Sequence, residues 1–446
     1  MSLPSVLVGV ALAIGGCYEG VLSDVEDEPR IALEDIRDVA DLPALEGEAF
    51  LLELSRVSPP ADQYEFIGFV RLEGEPLWVH DTPPEGSVGD VLAAAGIQMG
   101  DPLQGVELPP GLEDTDAARG ILVSADGRLF VERLDAFEAR LERIASMPES
   151  GMSGAESQGY VPPGLTVPRS AVIPPPKPAA AGIHGADQRT PVTTSDYPYR
   201  AAGVSILRPS GGSGSIFSNS RKWNSAGSAA MIGPRHATTA VHVFLSGGDL
   251  MVRGLGPAAR GPTWPGADGT GPGPNYAANA QFPFGARRTV WYAWSTGYDG
   301  GPAYDYGMMV MQDLAWSPGH LRLGYQSTSW LDFRDGWYMF GYPNDSCANG
   351  YGGSSECGGF MYRIKGETRG VYPQTAIHWL DTASGQSGAN LYIKNGNDRV
   401  VYLINHGECT QRDCGVAKRL RAGSYSNMCS VVNSFPSSFF DTVDCD

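Results

Sequence analysis

Three short segments, in a fixed order, limit the folds open to this chain more than any other feature. In chain order they read Thr239-Ala240-Val241-His242, Tyr304-Asp305-Tyr306-Gly307 and Gly385-Gln386-Ser387-Gly388. A serine hydroxyl is a poor nucleophile until an imidazole takes its proton, and that imidazole needs an acceptor on its other ring nitrogen. The segments therefore predict a triad in which His242 is the general base, Asp305 orients it and Ser387 is the nucleophile.

The order of the three residues along the chain distinguishes between folds that share this chemistry. Subtilisin-type chains run Asp-His-Ser and α/β-hydrolases run Ser-Asp-His, so the order His-Asp-Ser leaves the double β-barrel. Ala389 also stands where the nucleophile elbow of α/β-hydrolases has its last glycine. We predict a mainly β protein, with a double six-stranded, trypsin-like β-barrel domain preceded by a small α+β acidic domain.

The serine segment also predicts an oxyanion hole. The glycines on either side of Gln386-Ser387 permit a backbone conformation that turns the N–H groups of Gly385 and Ser387 toward one point. Such paired donors stabilise the negative charge that develops on a carbonyl oxygen under attack. We therefore predict that Gly385 and Ser387 form the oxyanion hole.

Several stretches beyond the triad resemble one known family. Those stretches are Gly185-Ala186-Asp187-Gln188-Arg189-Thr190-Pro191-Val192, Tyr197-Pro198-Tyr199-Arg200 and Gly341-Tyr342-Pro343. From Ile183 to the C-terminus the chain resembles the glutamyl-endopeptidase (V8-like) branch of the chymotrypsin-like serine peptidases. The resemblance implies an endopeptidase with protein or peptide substrates. We expect a monomer that needs no cofactor and no metal.

The predicted substrate pocket leaves alternatives open. The V8-like branch has Ile-His-x-Gly on the strand that lines the pocket, whereas this chain reads Ile404-Asn405-His406-Gly407. His406 is therefore either the pocket histidine, displaced by one residue, or an exposed or hydrogen-bonding loop histidine, and Asn405 takes the family position. Asp381 is placed six residues before Ser387, where trypsin-like enzymes carry the aspartate that selects Arg or Lys. The branch also has an Asp-Thr pair there, matched by Asp381 and Thr382, with a structural role. We favour the structural role and a Glu or Asp preference at P1.

Charge divides the chain into two unlike parts. Residues 1–182 carry 31 acidic and 11 basic side chains, a net charge of −20, whereas the remainder carries 19 and 21, a net charge of +2. The change falls in a Pro- and Gly-rich stretch, which is typical of an exposed, cleavable linker. We predict an acidic domain over 18–150, a linker over 151–182 and the protease domain over 183–446. No basic patch indicates nucleic-acid binding.

The acidic domain is predicted to be a pro-region, so that cutting the linker activates a zymogen. Gln386 carries no charge, so the new amine cannot pair with the residue before Ser387 as it does in trypsinogen. The resemblance instead implies that an amine near Ile183 lies beside the primary pocket. Two alternatives remain: a soluble domain unrelated to catalysis, and a mature surface module that carries the protease.

The first residues predict export. Residues 3–14 form an apolar run that suits a signal peptide and is too short to span a bilayer. The run leads into Ile14-Gly15-Gly16-Cys17, which resembles a bacterial lipobox. We predict a signal peptide over 1–17 and lipid attachment at Cys17, which would tether a secreted or outer-membrane-anchored bacterial lipoprotein. Ordinary signal cleavage is the alternative.

The remaining six cysteines predict disulfides. They cluster near the C-terminus, as Cys347, Cys357, Cys409, Cys414, Cys429 and Cys445. In an exported hydrolase this pattern favours three bridges, and sequential pairing is the simplest arrangement. A second class of function remains open, because two-barrel folds also occur as binding proteins that have lost catalysis.

Overall fold

The structure, a computed structural model, describes residues 57–73, 86–112, 115–154, 158, 188–192, 197–207, 224–246, 249–251, 253–256, 287–311, 319–343, 361–383, 385–409 and 414–435. The strands before the first barrel are β1 (Tyr64–Phe69), β2 (Leu72–Glu73), β3 (Gly120–Ser124), β4 (Arg128–Glu132), β5 (Gly151–Met152) and β6 (Thr190–Pro191). The next strands are β7 (Ala202–Leu207), β8 (Asn224–Met231), β9 (His236–Thr239), β10 (Leu245–Ser246), β11 (Asp249–Met251), β12 (Arg253–Gly256), β13 (Arg287–Ser295) and β14 (Gly307–Met311). The last strands are β15 (Arg322–Tyr325), β16 (Asp335–Gly341), β17 (Tyr362–Val371), β18 (Thr375–His378), β19 (Asn390–Asn395), β20 (Asp398–Glu408) and β21 (Gly415–Arg419). The helices are α1 (Val88–Ala94), α2 (Leu134–Ser146), α3 (Thr328–Leu331) and α4 (Ala422–Asn433).

Six antiparallel strands close into a first barrel. The hydrogen-bonded order is β13-β12-β7-β8-β9-β14, and a further pairing of β13 with β14 closes the ring. Every residue of β14 is buried, as expected for an apolar Met- and Val-rich strand that packs in the core. The first predicted six-stranded barrel is therefore confirmed.

A second barrel closes in the same way. Its order is β16-β17-β18-β21-β20-β19, and β19 also pairs with β16 to complete the ring, all antiparallel. Trp337 and Leu391 lie in its buried core. Closure matters physically because a closed barrel leaves no strand edge unpaired. The mainly β, double-barrel fold predicted from the order of the triad residues is confirmed.

The strands that precede the barrels extend the same sheets. β3, β4 and β1 form an antiparallel sheet that continues from β13, and β5 pairs with β15, which in turn pairs with β20. The apolar residues of β3 belong to the same buried cluster as Trp291 and Tyr292 of the first barrel. The domain boundaries predicted at 150/151 and 182/183 stay predictions.

Helix α2 covers one side of this N-terminal sheet. The spacing of Leu134, Phe137, Leu141 and Ile144 predicts an amphipathic helix with these four residues on one face. Phe137, Leu141 and Ile144 are buried as predicted, but Leu134, the first residue of the helix, is 47% exposed and lies outside the core. Arg140 on the same helix is buried as well and forms two hydrogen bonds with the Glu132 carboxylate, at 2.7 and 2.8 Å. Among the described residues, no helix has the length and apolar character needed to cross a membrane.

Candidate active site

The strand register of the first barrel brings His242 and Asp305 to the same end of one strand pair. β9 and β14 are antiparallel neighbours in which Thr239 lies opposite Gly307. His242 follows Thr239 by three residues, in the 3₁₀ turn Val241–Val243, and Asp305 precedes Gly307 by two, just after another 3₁₀ turn. Because the two strands run in opposite directions, a residue after Thr239 and a residue before Gly307 lie beyond the same end of the strand pair. Two side chains distant in sequence therefore meet.

Asp305 is a buried carboxylate with three hydrogen bonds. Its side chain is 0% exposed. Oδ1 accepts the main-chain N–H of His242 at 3.1 Å, and Oδ2 lies 2.6 Å from His242 Nδ1. Burial alone would raise the pKa of Asp305, but the hydrogen bonds from His242 and His406 outweigh it, so the pKa lies below its ordinary value. The carboxylate is ionised at neutral pH and fixes His242 with Nδ1–H directed inward.

The third hydrogen bond comes from His406. Its Nδ1 lies 2.6 Å from the same Oδ2 of Asp305, and the rings of His406 and His242 are 5.1 Å apart at their centres. One carboxylate oxygen is therefore shared by two imidazoles. The sequence offered two roles for His406, a pocket histidine or a hydrogen-bonding loop histidine. The contact with Asp305 was not foreseen, and the pocket role stays a prediction.

Ser387 lies where the two barrels meet. Its carbonyl accepts the N–H of Ser228 on β8 at 2.7 Å, and the N–H of Gly388 donates to Asn405 O on β20 at 2.7 Å. The Ser387 hydroxyl donates to His406 O at 3.3 Å. Within the described part of the chain, it has no hydrogen bond to His242. The predicted contact of Ser387 Oγ with His242 is therefore not present among the described residues.

Gly388 is required by the close approach of the two barrels. A Cβ at this position would lie 2.1 Å from Thr239 Oγ1 and 2.4 Å from Ser228 O, and the residue has φ +79°. Thr239 itself donates its hydroxyl to Ser228 O at 2.7 Å. The Thr-Ala-x-His segment and the Gly-x-Ser-Gly segment therefore pack against the same point of β8, and only a residue without a side chain fits between them.

Among the described residues, the two predicted oxyanion donors have no acceptor. Gly385 has φ +91°, the left-handed region that favours glycine, and its carbonyl accepts the Ser228 hydroxyl at 2.9 Å. Neither the N–H of Gly385 nor that of Ser387 has an acceptor among the described residues. Unpaired backbone donors beside a serine hydroxyl are what an oxyanion hole requires.

Two of the residues predicted to line the pocket, Thr382 and Asn405, belong to a buried polar chain behind the serine loop. The Leu380 N–H donates to His378 Nδ1, so the opposite Nε2–H donates to Asn405 Oδ1 at 3.1 Å. Asn405 then donates to Thr382 Oγ1 at 3.2 Å and to Gln386 O at 2.9 Å. Burial lowers the pKa of His378 to about 4, so its ring is neutral. The chain ties β18 and β20 to the loop that carries Ser387.

Asp381 is 1% exposed, and its Oδ2 accepts the N–H of Gln188 at 2.6 Å. This contact brings the segment that resembles the family's mature N-terminus to the loop before Ser387. A buried carboxylate engaged by the chain's own backbone is consistent with the structural role favoured for Asp381. Neither its role nor that of Thr382 in substrate binding is tested by this arrangement.

His242, Asp305 and His406 also have the spacing of a metal site, because their donor atoms lie within 4.8 Å of one another. Both Nδ1 atoms, however, are at hydrogen-bond distance from one carboxylate oxygen. In this arrangement the two imidazole N–H groups donate to the same carboxylate oxygen of Asp305. The sequence prediction that the site needs no metal stays a prediction.

One predicted disulfide is present. Cys409 and Cys414 are bonded, as sequential pairing requires, and Cys429 is also disulfide-bonded. The cysteines Cys17, Cys347, Cys357 and Cys445 lie outside the described residues, so the remaining pairings and the lipidation of Cys17 stay predictions.

Comparisons with known proteins give structural likenesses only. No protein-family model matches the chain, and no curated protein matches it. Among solved structures, the chain is similar to a Glu endopeptidase in complex with MPD, with 15% identity and a TM-score of 0.40, over 55% of this chain and 97% of the other. It is also similar to the thermostable serine protease AL20 from an extremophilic microorganism, with 15% identity, a TM-score of 0.36, and 54% and 100% covered. A third is the protease Anisep from Arthrobacter nicotinovorans, with 15% identity, a TM-score of 0.36, and 56% and 97% covered. Likenesses at this level say nothing about activity.

We predict that Gly388→Ala destabilises the fold strongly. The added methyl group would clash with Thr239 and Ser228, and a left-handed backbone costs a further 1 kcal/mol or so for a residue with a Cβ. Thermal unfolding measures the effect. The matched control is Gly396→Ala, which also has positive φ (+62°) but open space around its Cβ, so it should show the backbone cost alone. Equal losses for the two variants would contradict the close approach described here.

Proposed function

We propose that the protein is a serine endopeptidase that cleaves protein or peptide substrates through an acyl-enzyme. The observation that carries this proposal is the buried Asp305 carboxylate held against His242 Nδ1 at 2.6 Å, together with a serine loop in which two N–H donors have no acceptor among the described residues. In the proposed mechanism the three groups supply a base, an orienting acceptor and a nucleophile. They do so on the fold that the His-Asp-Ser order predicts.

The reaction would begin when Ser387 Oγ attacks the carbonyl carbon of the scissile peptide bond. The hydroxyl proton passes to His242 Nε2, and the negative charge on the carbonyl oxygen is stabilised by the N–H groups of Gly385 and Ser387. His242 then gives its proton to the leaving amine, which breaks the C–N bond. Water attacks the acyl-enzyme by the same route and restores Ser387. Asp305 remains ionised throughout and stabilises the protonated imidazole.

We further propose a preference for Glu or Asp at P1. The motif resemblance is its main support. The buried Asp381 carboxylate supports it as well, because an aspartate already engaged by the Gln188 amide is poorly placed to pair with a substrate Arg or Lys. Ile183 precedes Gln188 by five residues, so an amine freed there is within reach of the same region. A positive charge near the pocket would favour an acidic substrate residue.

Export and activation complete the proposal. A signal peptide over 1–17 would carry the chain out of the cytoplasm, and lipid on Cys17 would tether it to a membrane. Cleavage within the Pro-rich linker would then separate the acidic part from the protease in sequence. These steps are supported by the Pro-rich composition of the linker and by the lipobox-like residues; the lipobox-like residues and residues 159–182 of the linker lie outside the described structure.

A non-catalytic binding protein is the second candidate, and one observation favours it. The Ser387 hydroxyl donates to His406 O and not to His242. If that geometry persists when substrate is bound, the serine is never activated and the groove between the barrels only binds its partner.

We predict that a fluorophosphonate probe labels Ser387, because only an activated serine attacks it. Labelling is read by mass spectrometry of the tryptic peptide. Ser387→Ala and His242→Ala should abolish labelling and lower peptide hydrolysis by about 10⁴–10⁶-fold. Ser384→Ala is the matched control, since it removes the other serine of the same segment and should leave labelling intact. Absence of labelling in the wild-type protein would support the binding-protein alternative.

We predict that a peptide library cleaved by the purified protein shows Glu or Asp at P1. The cleavage sites are determined by mass spectrometry. They distinguish a structural role of Asp381 from a role in selecting Arg or Lys. A strict Arg or Lys preference would overturn the structural role of Asp381 and favour a trypsin-like pocket. In that case Asp381→Asn should remove the preference.

We predict that His406→Phe lowers kcat/KM by about 10–100-fold, the range for losing a hydrogen bond to a charged group. The pKa of Asp305 should rise, because one donor that lowers it is gone. A depressed carboxyl pKa stabilises the fold above about pH 3.9, and that stability is lost as pH falls through the folded-state value. Because the raised folded-state pKa lies closer to the unfolded value, the acid-dependent loss in the variant should be smaller and should be complete at a higher pH, seen in unfolding midpoints measured between about pH 2 and 6.

His406→Gln keeps a side-chain N–H and should recover part of both effects. Glu408→Gln, an exposed position on the same strand, is the control and should change neither. Full activity and an unchanged acid profile in His406→Phe would show that the contact with Asp305 has no role in positioning the carboxylate.

A further inference from the structure

The residues before the linker complete the first barrel. We define the N-terminal segment as residues 57–154, which includes the first four residues of the predicted linker, and the catalytic half as the predicted protease domain, residues 183–446. Strand β3 of this segment pairs with β13 over five positions, from Gly120 opposite Ser295 to Ser124 opposite Trp291. β12 pairs with the same strand only at Arg287 and Arg288. Without β3, the second half of this β13 edge would lose its backbone hydrogen bonds and expose apolar side chains to water.

A buried ion pair joins the N-terminal segment to the second barrel. Lys418 Nζ on β21 lies 2.8 Å from Asp116 Oδ2, and both side chains are 0% exposed. Burial alone would raise the pKa of Asp116, but Lys418 and Ser424 outweigh it, so the pKa lies below its ordinary value. If the segment left, the Lys418 charge would lose its buried partner.

Asp116 also caps a helix of the catalytic half. Its Oδ1 accepts the N–H of Ser424, in the first turn of α4, at 3.0 Å. This N–H has no partner within the helix, and a carboxylate also complements the positive end of the helix dipole. A Cβ on Gly423 would lie 2.4 Å from Ala117 N, so the helix terminus is shaped to receive this part of the chain.

The same ion pair lies beneath the residues that flank the triad carboxylate. Lys418 Nζ is 5.7 Å from the ring centre of Tyr304 and 5.5 Å from that of Tyr306, which are distances typical of a cation–π contact. Asp305 lies between these two tyrosines in the sequence. The N-terminal segment thus supports, through Lys418, the turn that positions the predicted catalytic aspartate.

A third contact lies near the end of the segment. β5 pairs with β15, the Ser153 hydroxyl accepts the N–H of Leu323 at 2.9 Å, and the Ser153 carbonyl accepts Arg322 Nε at 2.7 Å. The N-terminal segment is therefore bonded to both barrels, at points far apart in the sequence.

The serine loop, in contrast, is held without a freed amine. Gln386 is fully buried, and its side-chain oxygen accepts the N–H of Ala383 at 2.9 Å. Asn405 donates to Gln386 O at 2.9 Å. These neutral hydrogen bonds form within the uncut chain, so formation of the loop does not depend on departure of the N-terminal segment.

We propose that the N-terminal segment stays bound to the catalytic half after the linker is cut, as a permanent partner and not as a discarded pro-region. The active form is then a two-chain complex joined by β3–β13, β5–β15 and the buried Asp116–Lys418 pair. The proposal rests on the contacts between the two parts. It uses the proposed peptidase activity only as a second readout.

The test uses the full chain with residues 174–177 replaced by the recognition sequence of a site-specific protease, in a Ser387→Ala background that prevents self-cleavage. After complete cutting, the two pieces should elute together in size-exclusion chromatography at the mass of the uncut chain and separate only in denaturant. Elution of the catalytic half alone under native conditions would overturn the proposal. Because this readout needs no activity, it stands even if the protein is not a peptidase.

The same cut in the Ser387 protein gives the second readout. The cut complex should hydrolyse peptides with both pieces present, and activity should be lost when denaturant removes the N-terminal segment from the catalytic half and the catalytic half is then refolded alone. Activity that appears only after the segment has left would overturn the proposal and restore the pro-region.

Variants of the cut protein locate the interaction. Asp116→Ala should weaken association of the two pieces by about a hundredfold or more, since it leaves the Lys418 charge buried and unpaired. Asp135→Ala, which removes the exposed partner of Arg133 on the same segment, is the matched control and should leave association unchanged. If the two pieces associated equally strongly in both variants, the Asp116–Lys418 pair would not contribute to holding them together.

Discussion

One buried carboxylate oxygen organises the candidate active site. Oδ2 of Asp305 receives two imidazole N–H groups, from His242 in the first barrel and from His406 in the second. A carboxylate removed from water is costly unless its lone pairs are filled, and here both histidines fill them. The same contacts that keep Asp305 ionised therefore hold the two barrels together at the groove.

The two histidines that share Asp305 differ in their remaining contacts. His242 has its Nδ1–H fixed by Asp305, which in the proposed mechanism leaves Nε2 to act as the base toward Ser387. His406 uses its side chain on Asp305 and its main-chain carbonyl on the Ser387 hydroxyl. The residue that positions the carboxylate thus also holds the nucleophile in its resting orientation. Substrate binding would have to release that hydroxyl before the reaction begins.

The closed barrels depend on residues far outside them. The N-terminal segment provides the strand that completes the edge of β13 and the carboxylate that neutralises Lys418 beneath Tyr304 and Tyr306. Strand pairing and a buried ion pair both need two partners. Removing one strand leaves the other with an unpaired edge, and removing one charge leaves the other buried without a counter-charge. The net negative charge of the N-terminal half therefore does not mean that this half is structurally separate from the catalytic half.

The predictability of these features follows from how local each signal is. The triad order is a chain-wide pattern with few matching folds, so it predicts both barrels, and the periodicity of Phe137, Leu141 and Ile144 predicts helix α2. The pairing of β3 with β13 joins segments more than a hundred residues apart and leaves no local signature. The contact of His406 with Asp305 also leaves no local signature, because it joins positions 101 residues apart and the register of β20 shifts by a bulge between Asn405 and Gly407.

The shared carboxylate can be observed directly by proton NMR of ¹⁵N-histidine-labelled protein. Two imidazole N–H protons in short hydrogen bonds to one ionised oxygen should give two separate downfield resonances. One should disappear in His242→Phe, the other in His406→Phe, and both should move in Asp305→Asn. A single downfield resonance that survives the loss of His406 would contradict the account, because Asp305 would then serve His242 alone.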